Sequence, residues 1–219
     1  MIPARAVNQR PVRLPLGPVG FARISGVSRE TLDRLSAYVE LLSVWNRRIN
    51  LVGRNTMGDL WRRHILDSAQ LYPLLPPRTR VLVDLGSGAG LPGLVLAAMG
   101  VAEVHLIESD QRKAAFLREA VRVMEVPAVV HPERIEKIAP IAADAVTARA
   151  LADLSQLIEF AEKFINSRTL FLFLKSSGVE SELAAARARF TMQEELVPSR
   201  SDPAGVIVKL NAVARKPAS

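Results

Sequence analysis

The sequence predicts a doubly wound α/β fold: a mostly parallel sheet that ends in an antiparallel hairpin, with a helical lobe ahead of it. Three observations predict this. Five short apolar runs, at 81–85, 104–107, 128–130, 145–148 and 170–174, alternate with helical stretches, the rhythm of parallel strands joined by helices. The close of the chain differs, because runs at 192–197 and 206–213 are separated only by the turn-rich segment 198–205, which makes them a hairpin on the sheet edge. The first third shows helical spacing instead of strand alternation.

Taken in order, residues 1–27 carry Arg5, Arg10, Arg13 and Arg23 among several prolines, with no acidic residue before Glu30. This reads as an irregular basic tail. A helix is predicted from Ser28, whose hydroxyl suits an N-cap, with Glu30 favourably placed in the first turn. Leu32, Leu35, Tyr38, Val39, Leu42, Trp45 and Ile49 then recur at helical spacing. Gly53 and Asn55 interrupt the pattern, and a second helix is expected over about 56–72, closed by Pro73, Pro76 and Pro77. The expected organisation is a tail at 1–27, a helical lobe at 28–77 and a sheet domain at 78–219. Five parallel βα units finished by a hairpin is the plan of the Rossmann-like class I methyltransferases.

The bulk properties exclude several classes. The chain has no cysteine, which removes disulfides, thiolate metal sites and a cysteine nucleophile, and suits a reducing compartment. No metal is expected. No apolar run approaches the roughly 18 residues of a membrane span, and the N-terminal stretch lacks the apolar core of a signal peptide, so a cytoplasmic protein without a membrane partner is expected. The formal charge of +7 favours polyanion partners through phosphate neutralisation.

The sharpest feature is Val83-Asp84-Leu85-Gly86-Ser87-Gly88-Ala89-Gly90-Leu91-Pro92-Gly93, a buried strand running through a glycine turn into a helix that Pro92 is placed to start. Two ligands compete for it. Gly88-x-Gly90-x-x-Gly93 matches the dinucleotide fingerprint, and Glu108 stands 22 residues after Gly86, about where a carboxylate would hold ribose hydroxyls. In a true dinucleotide site, however, the first glycine follows the strand directly and no carboxylate precedes it. Asp84-x-Gly86-x-Gly88-x-Gly90 better suits S-adenosylmethionine, whose cationic methionine end is favoured by a nearby carboxylate. For Glu108 the alternative is a surface carboxylate pairing with Arg112.

Further residues sharpen this. Trp45-Asn46 with Asn50-Leu51, then Arg63-His64-Ile65-Leu66-Asp67-Ser68, the glycine loop, Glu108-Ser109, Lys113 with Phe116-Leu117, Arg134-Ile135-Glu136, Ala148-Arg149-Ala150 and Lys175 together resemble the RsmG (GidB) family, the bacterial 16S rRNA guanine-N7 methyltransferases. The resemblance covers the chain from about Thr31 onward. Val52 stands where the family usually has threonine, and Ser176 where it usually has glycine after the lysine.

The resemblance implies that S-adenosylmethionine rests against Gly86 with Leu91 at its flank, Ile135 and Glu136 bracketing the adenine, and Arg149 closing the site. Gly88 and Gly90 complete the loop, Asp84 orients it or meets the methionine amino group, and Glu108 takes the ribose. His64 and Asp67 share a helical face with Ser68, where Arg63 and Asp67 make an ordinary ion pair at i,i+4; the resemblance gives His64, Asp67 and Arg149 a part in shaping the cleft. No residue is assigned as a general base. Guanine N7 has a lone pair and no proton, so alignment and a tolerant electrostatic environment suffice. Arg62, Arg63, Arg112, Lys113, Arg118 and Lys175 are the expected RNA contacts, extended by Arg47 and Arg48. The implied partner is small-subunit rRNA or a ribosomal particle, met by a monomer. Two other readings stay open: an NAD(P)-dependent oxidoreductase, from the embedded fingerprint, and a non-catalytic RNA-binding or ribosome-assembly protein.

Overall fold

The computed structural model describes residues 15–166 and 168–217. The strands are β1 (Val81–Leu85), β2 (Glu103–Ile107), β3 (Ala128–His131), β4 (Ala145–Arg149), β5 (Leu170–Lys175), β6 (Phe190–Pro198) and β7 (Val206–Arg215). They form one seven-stranded sheet in the order β3-β2-β1-β4-β5-β7-β6. The first five are parallel; β7 runs antiparallel to β5 and to β6. The expected doubly wound sheet with its closing hairpin is thus present.

Strand alternation divides the core in two. Leu82, Leu106, Leu170 and Leu172 face one apolar cluster, whereas Val83, Ile107, Phe171 and Phe173 face the other, as the two-residue side-chain period requires. On the first face lie α1 (Pro18–Ser25), α2 (Arg29–Trp45), α3 (Asp67–Ala69), α4 (Gly93–Ala98) and α5 (Gln111–Met124). The second is covered by α6 (Leu154–Ala161) and α7 (Val179–Arg189). Two edge strands bound the sheet: β3, only four residues long, and β6, largely exposed and irregular between Thr191 and Gln193.

The helix predicted from Ser28 forms, with the Ser28 hydroxyl accepting from Thr31 N–H at 3.2 Å. Its buried Leu35, Tyr38 and Leu42 pack toward α5, where Phe116 lies 6.2 Å from the Tyr38 ring and 5.7 Å from the Trp45 ring. Tyr38 also donates its hydroxyl to the Ala89 carbonyl at 2.7 Å, anchoring the helical lobe to the glycine loop.

Three expectations need correction. Of the segment 1–27 read as an irregular tail, residues 1–14 lie outside the described residues, but Pro18–Ser25 is a helix. It forms because Pro18 starts it, Gly26 ends it with φ +68°, and Phe21 is buried 5.4 Å from the Trp61 ring. The helix expected over 56–72 is broken into a 3-10 turn at Arg54–Asp59, a π turn at Trp61–Leu66, α3 and another 3-10 turn at Tyr72–Leu74. The π turn widens the backbone where His64 is displayed, directly ahead of Asp67 at the start of α3, a common device at functional sites. Finally, Pro92 caps α4 instead of occupying its first position.

Candidate active site

The site is built outside the carboxyl ends of the parallel strands, where open α/β sheets bind ligands. β1 ends in the turn that carries Gly86, Gly88 and Gly90 at φ +59°, +57° and +84°. A Cβ on Gly86 would approach the Leu151 side chain to 2.6 Å, and the positive φ is one that favours glycine. Ser87 N–H donates to the Ile107 carbonyl at 2.9 Å, fastening the turn to β2.

Asp84 supports this turn from behind. Its buried carboxylate accepts from the Thr147 hydroxyl at 2.7 Å and from Gly93 N–H at 3.3 Å. Burial pushes its pKa up to about 6, opposed by those hydrogen bonds. Asp84 does not line the cavity in front of the loop, and neither does Gly90, whose added Cβ would meet Leu94 and Leu117. Of the two roles open to Asp84, the geometry gives the orienting one. It also takes the first amide of α4, whose six residues are all buried. A pyrophosphate would need that helix N-terminus.

Glu108 meets the loop from β2. One carboxylate oxygen accepts from Gly88 N–H at 2.9 Å and the other from Asp110 N–H at 2.8 Å. Its expected alternative, a pair with Arg112, is absent; Arg112 reaches Asp110 instead, at 3.6 Å. A cavity of about 370 Å³ opens beside Glu108, bounded by Gly86, Gly88, Leu91, Ile135, Glu136 and Arg149. The structure therefore gathers seven of the nine residues predicted for the cofactor. Its outer wall includes Leu51 and Val52, which sequence reasoning missed. Asn46 places them: its side-chain oxygen accepts from the N–H of both, at 2.9 Å each. The paired Trp45-Asn46 and Asn50-Leu51 motifs were the signal available.

Arg149, at the end of β4, organises the other side. Nη1 donates to Asp67 at 3.0 Å and to the Arg63 carbonyl at 3.2 Å, while Nη2 donates to His64 Nδ1 at 2.5 Å. Burial, then the Arg149 and Arg63 charges, push the His64 pKa down to about 3. The imidazole is therefore neutral, with its proton on Nε2, which donates to the Thr56 hydroxyl at 2.7 Å; Thr56 in turn donates to the Gly53 carbonyl at 2.7 Å. The predicted trio of His64, Asp67 and Arg149 is thus one network. The expected Arg63–Asp67 pair is not made, because Asp67 faces Arg149 and Ser201 while Arg63 pairs with Asp202 at 2.8 Å. Ser68 stays apart, its buried hydroxyl without a hydrogen-bond partner among the described residues.

Behind Arg149 and Ala150 lies a second cavity, also of about 370 Å³, which takes further walls from Asp67, Lys175, Glu182 and Asp202. A third, of about 380 Å³, is lined by Arg47, Arg48, Arg54, Arg112 and Lys113 with Asp110 as the one acid. The predicted RNA contacts therefore divide. Arg112 and Lys113 join the basic cavity, with Arg54 the member that sequence reasoning missed. Arg118 is exposed farther along α5. Arg62 pairs with Asp59 at 3.0 Å. Lys175 is a strut instead of a free cation, bonded at 2.6 Å to both Glu182 and the Ala152 carbonyl.

The arrangement offers a glycine-floored cradle with a ribose-suited carboxylate, a fixed guanidinium at its edge, a polar chamber behind, and a cationic groove alongside. Comparison with known proteins places the chain among its relatives. A family model named GidB, described as rRNA small subunit methyltransferase G, matches residues 31–203. The chain is 58% identical over 194 residues to ribosomal RNA small subunit methyltransferase G of Rhodospirillum centenum, covering 89% of this chain and 90% of that protein. Against the protein of the same name from Paramagnetospirillum magneticum the identity is 53% over 200 residues, covering 91% and 98%. Among solved structures, a ribosomal protein L11 methylase from Lactobacillus delbrueckii superposes with a TM-score of 0.55 at 14% identity, covering 68% of this chain and 76% of that one, a likeness of fold.

Proposed function

The chain belongs to the GidB family, the rRNA small subunit methyltransferases G, and from that premise we propose that it transfers a methyl group from S-adenosylmethionine to N7 of a guanine in 16S rRNA. The observation that carries the reading is the cavity between Gly86, Glu108, Ile135 and Arg149. Its size lies within the range of about 300–1,000 Å³ usual for ligand pockets. The residues fit the cofactor. Glycine conformations let it approach the backbone of the turn, Glu108 is fixed by two amides with lone pairs left for ribose hydroxyls, and Ile135 with Glu136 flanks the adenine. Asp84 already occupies the α4 amide that a dinucleotide's phosphates would use, which removes the oxidoreductase reading.

Bound there, S-adenosylmethionine supplies an electrophilic methyl group on a cationic sulfur. The chain's own part is placement. Guanine N7 brings a lone pair and no proton, so no base is required. His64 is engaged at both ring nitrogens and acts as a positioning residue for Arg149. Asp67 does the same from the other side, and Arg149 closes the cradle against the chamber behind it.

The basic cavity suits RNA phosphates, because five cations face one carboxylate. RNA contacts are accordingly placed at Arg47, Arg48, Arg54, Arg112 and Lys113, and the target is a guanine outside deep major grooves. No helix among the described residues is long and apolar enough to cross a membrane. A monomer acting in the cytoplasm, where its rRNA substrate is made, completes the reading.

The test is transfer of radiolabelled methyl from S-adenosylmethionine to small-subunit rRNA and to particles lacking the modification, followed by chemical cleavage at 7-methylguanine. Label in a single cleavable guanine is expected. Cofactor binding without label in any rRNA would overturn the substrate assignment and leave a binding module.

A further inference from the structure

The second cavity has a use that the cofactor site alone does not explain. It shares Arg149 and Ala150 with the cofactor cavity, so the two chambers are separated by a single turn of chain. Ala150 holds φ +53°, a left-handed conformation that a residue with a Cβ adopts only when its surroundings enforce it, commonly at functional sites. Both ends of the turn are fastened: Arg149 by His64 and Asp67, and the Ala152 carbonyl by Lys175. A nucleophile must come within roughly 3–3.5 Å of the methyl group it attacks.

The carboxylates of this chamber are not equivalent. Asp67 uses one oxygen on Arg149 and the other on Ser201 and Gln70. Asp202 uses one on Arg63 and the other on Ala204 N–H. Glu182 differs. Its Oε2 accepts from both Lys175, at 2.6 Å, and Leu154 N–H, at 2.8 Å, which holds the group in place. Its Oε1 has no partner among the described residues. The chamber thus contains one fixed carboxylate oxygen with its acceptor capacity unused.

Resting on the methyltransferase reading, we propose that the chamber behind Arg149 receives the target guanine and that Glu182 Oε1 reads the donors of its Watson–Crick edge. N7 lies on the opposite side of a purine from N1–H and the N2 amine. A guanine with N7 toward the cofactor cavity therefore turns those donors toward the wall that bears Glu182, a residue that lines the second cavity and not the first. Adenine has no donor at N1 and no amine at C2, so it leaves this carboxylate unsatisfied, the situation in which hydrogen-bonding sites discriminate most strongly. Glu182 is then a specificity-determining residue.

The test compares the full-length wild type with Glu182→Gln on small-subunit rRNA carrying guanosine, inosine or 2-aminopurine riboside at the mapped target. Inosine removes the N2 amine and 2-aminopurine removes N1–H. In the wild type, removing the donor that Glu182 reads is expected to lower kcat/KM about 10- to 100-fold, as for a hydrogen bond to a charged group. Glu182→Gln is expected to be slower on guanosine by a similar factor and indifferent to that same replacement. Should the glutamine variant not fold, Glu182→Asp keeps the charge facing Lys175, withdraws the carboxylate by one methylene, and is read identically. Equal penalties in wild type and variant for both analogues would overturn the proposal. A wild type that leaves guanosine unlabelled would instead overturn the methyltransferase reading beneath it.

Discussion

Arg149 Nη2 donates to the unprotonated Nδ1 of His64 at 2.5 Å, so a neutral imidazole steadies the guanidinium that divides the two chambers. The arrangement depends on that neutrality, because a protonated Nδ1 would have no lone pair to offer and would repel the cation.

Acid should therefore loosen this part of the molecule. His64 falls from 6.5 when unfolded to about 3 when folded, so between these values the unfolded chain binds more protons. The His64 contribution is fully present above pH 6.5 and is lost as pH falls toward 3, with a slope of up to about 1.4 kcal/mol per pH unit. Asp84, raised from 3.8 to about 6, works in the opposite direction; its contribution is present below 3.8 and lost as pH rises through 6. His64→Gln is expected to be less stable than wild type at pH 7, with the gap narrowing as pH falls to 4. Denaturant midpoints across that range measure it, and a gap constant with pH would contradict the neutral imidazole.

Gly86→Val adds a branched side chain where φ is +59° and Leu151 stands 2.6 Å from the first added carbon. The left-handed conformation alone costs about 1–2 kcal/mol, and either the Leu151 side chain or the loop must shift to relieve the contact. Adenosylhomocysteine affinity is expected to fall at least about tenfold, read by titration calorimetry. Unchanged affinity in a folded variant would move the cofactor away from this turn.

Charge reversal separates the groove from the strut. Arg48→Glu with Arg112→Glu is expected to weaken rRNA binding and flatten its salt dependence by about one unit per cation removed, leaving adenosylhomocysteine affinity unchanged. Lys113 is unsuited to that experiment because it reaches both cavities. Lys175→Ala should lower stability, by about 1–3 kcal/mol for the partners it strands, and leave the salt slope alone. Filter binding over a series of salt concentrations distinguishes the two; equal slopes in the reversed pair and wild type would remove RNA from the groove.

Phe21→Ala tests whether the segment before α2 is structural. The ring is buried against Trp61, and its removal is expected to cost about 3–5 kcal/mol. Thermal unfolding at fixed protein concentration reports it, and a loss near zero would return this segment to the status of a tail.

The sheet was legible because its signals are local. Short apolar runs bounded by turn chemistry mark every strand within a few residues, and Ser28 announces its helix. The cofactor cradle was largely legible for the same reason, since the loop and Glu108 sit at strand ends in fixed order. What escaped was set by tertiary contact. Phe21 makes a helix of a proline-rich segment only once Trp61 is there to cover it. The Asp67 carboxylate turns from Arg63, four residues away, to Arg149, 82 residues away, because β4 delivers that guanidinium to the start of α3. Lys175 reads as a free cation until α7 brings Glu182 against it.

The two margins of the sheet bear on how the molecule meets its neighbours. A bare strand margin is a template on which another polypeptide can extend the sheet. Here one margin is only four residues long. The other runs through Glu194 and Glu195, paired with Arg187 and Lys209, is irregular near Thr191, and closes on Pro198, which has no amide hydrogen to give. Backbone-to-backbone growth is thus disfavoured at both margins, which leaves recognition of the rRNA substrate to side chains on the cavity face.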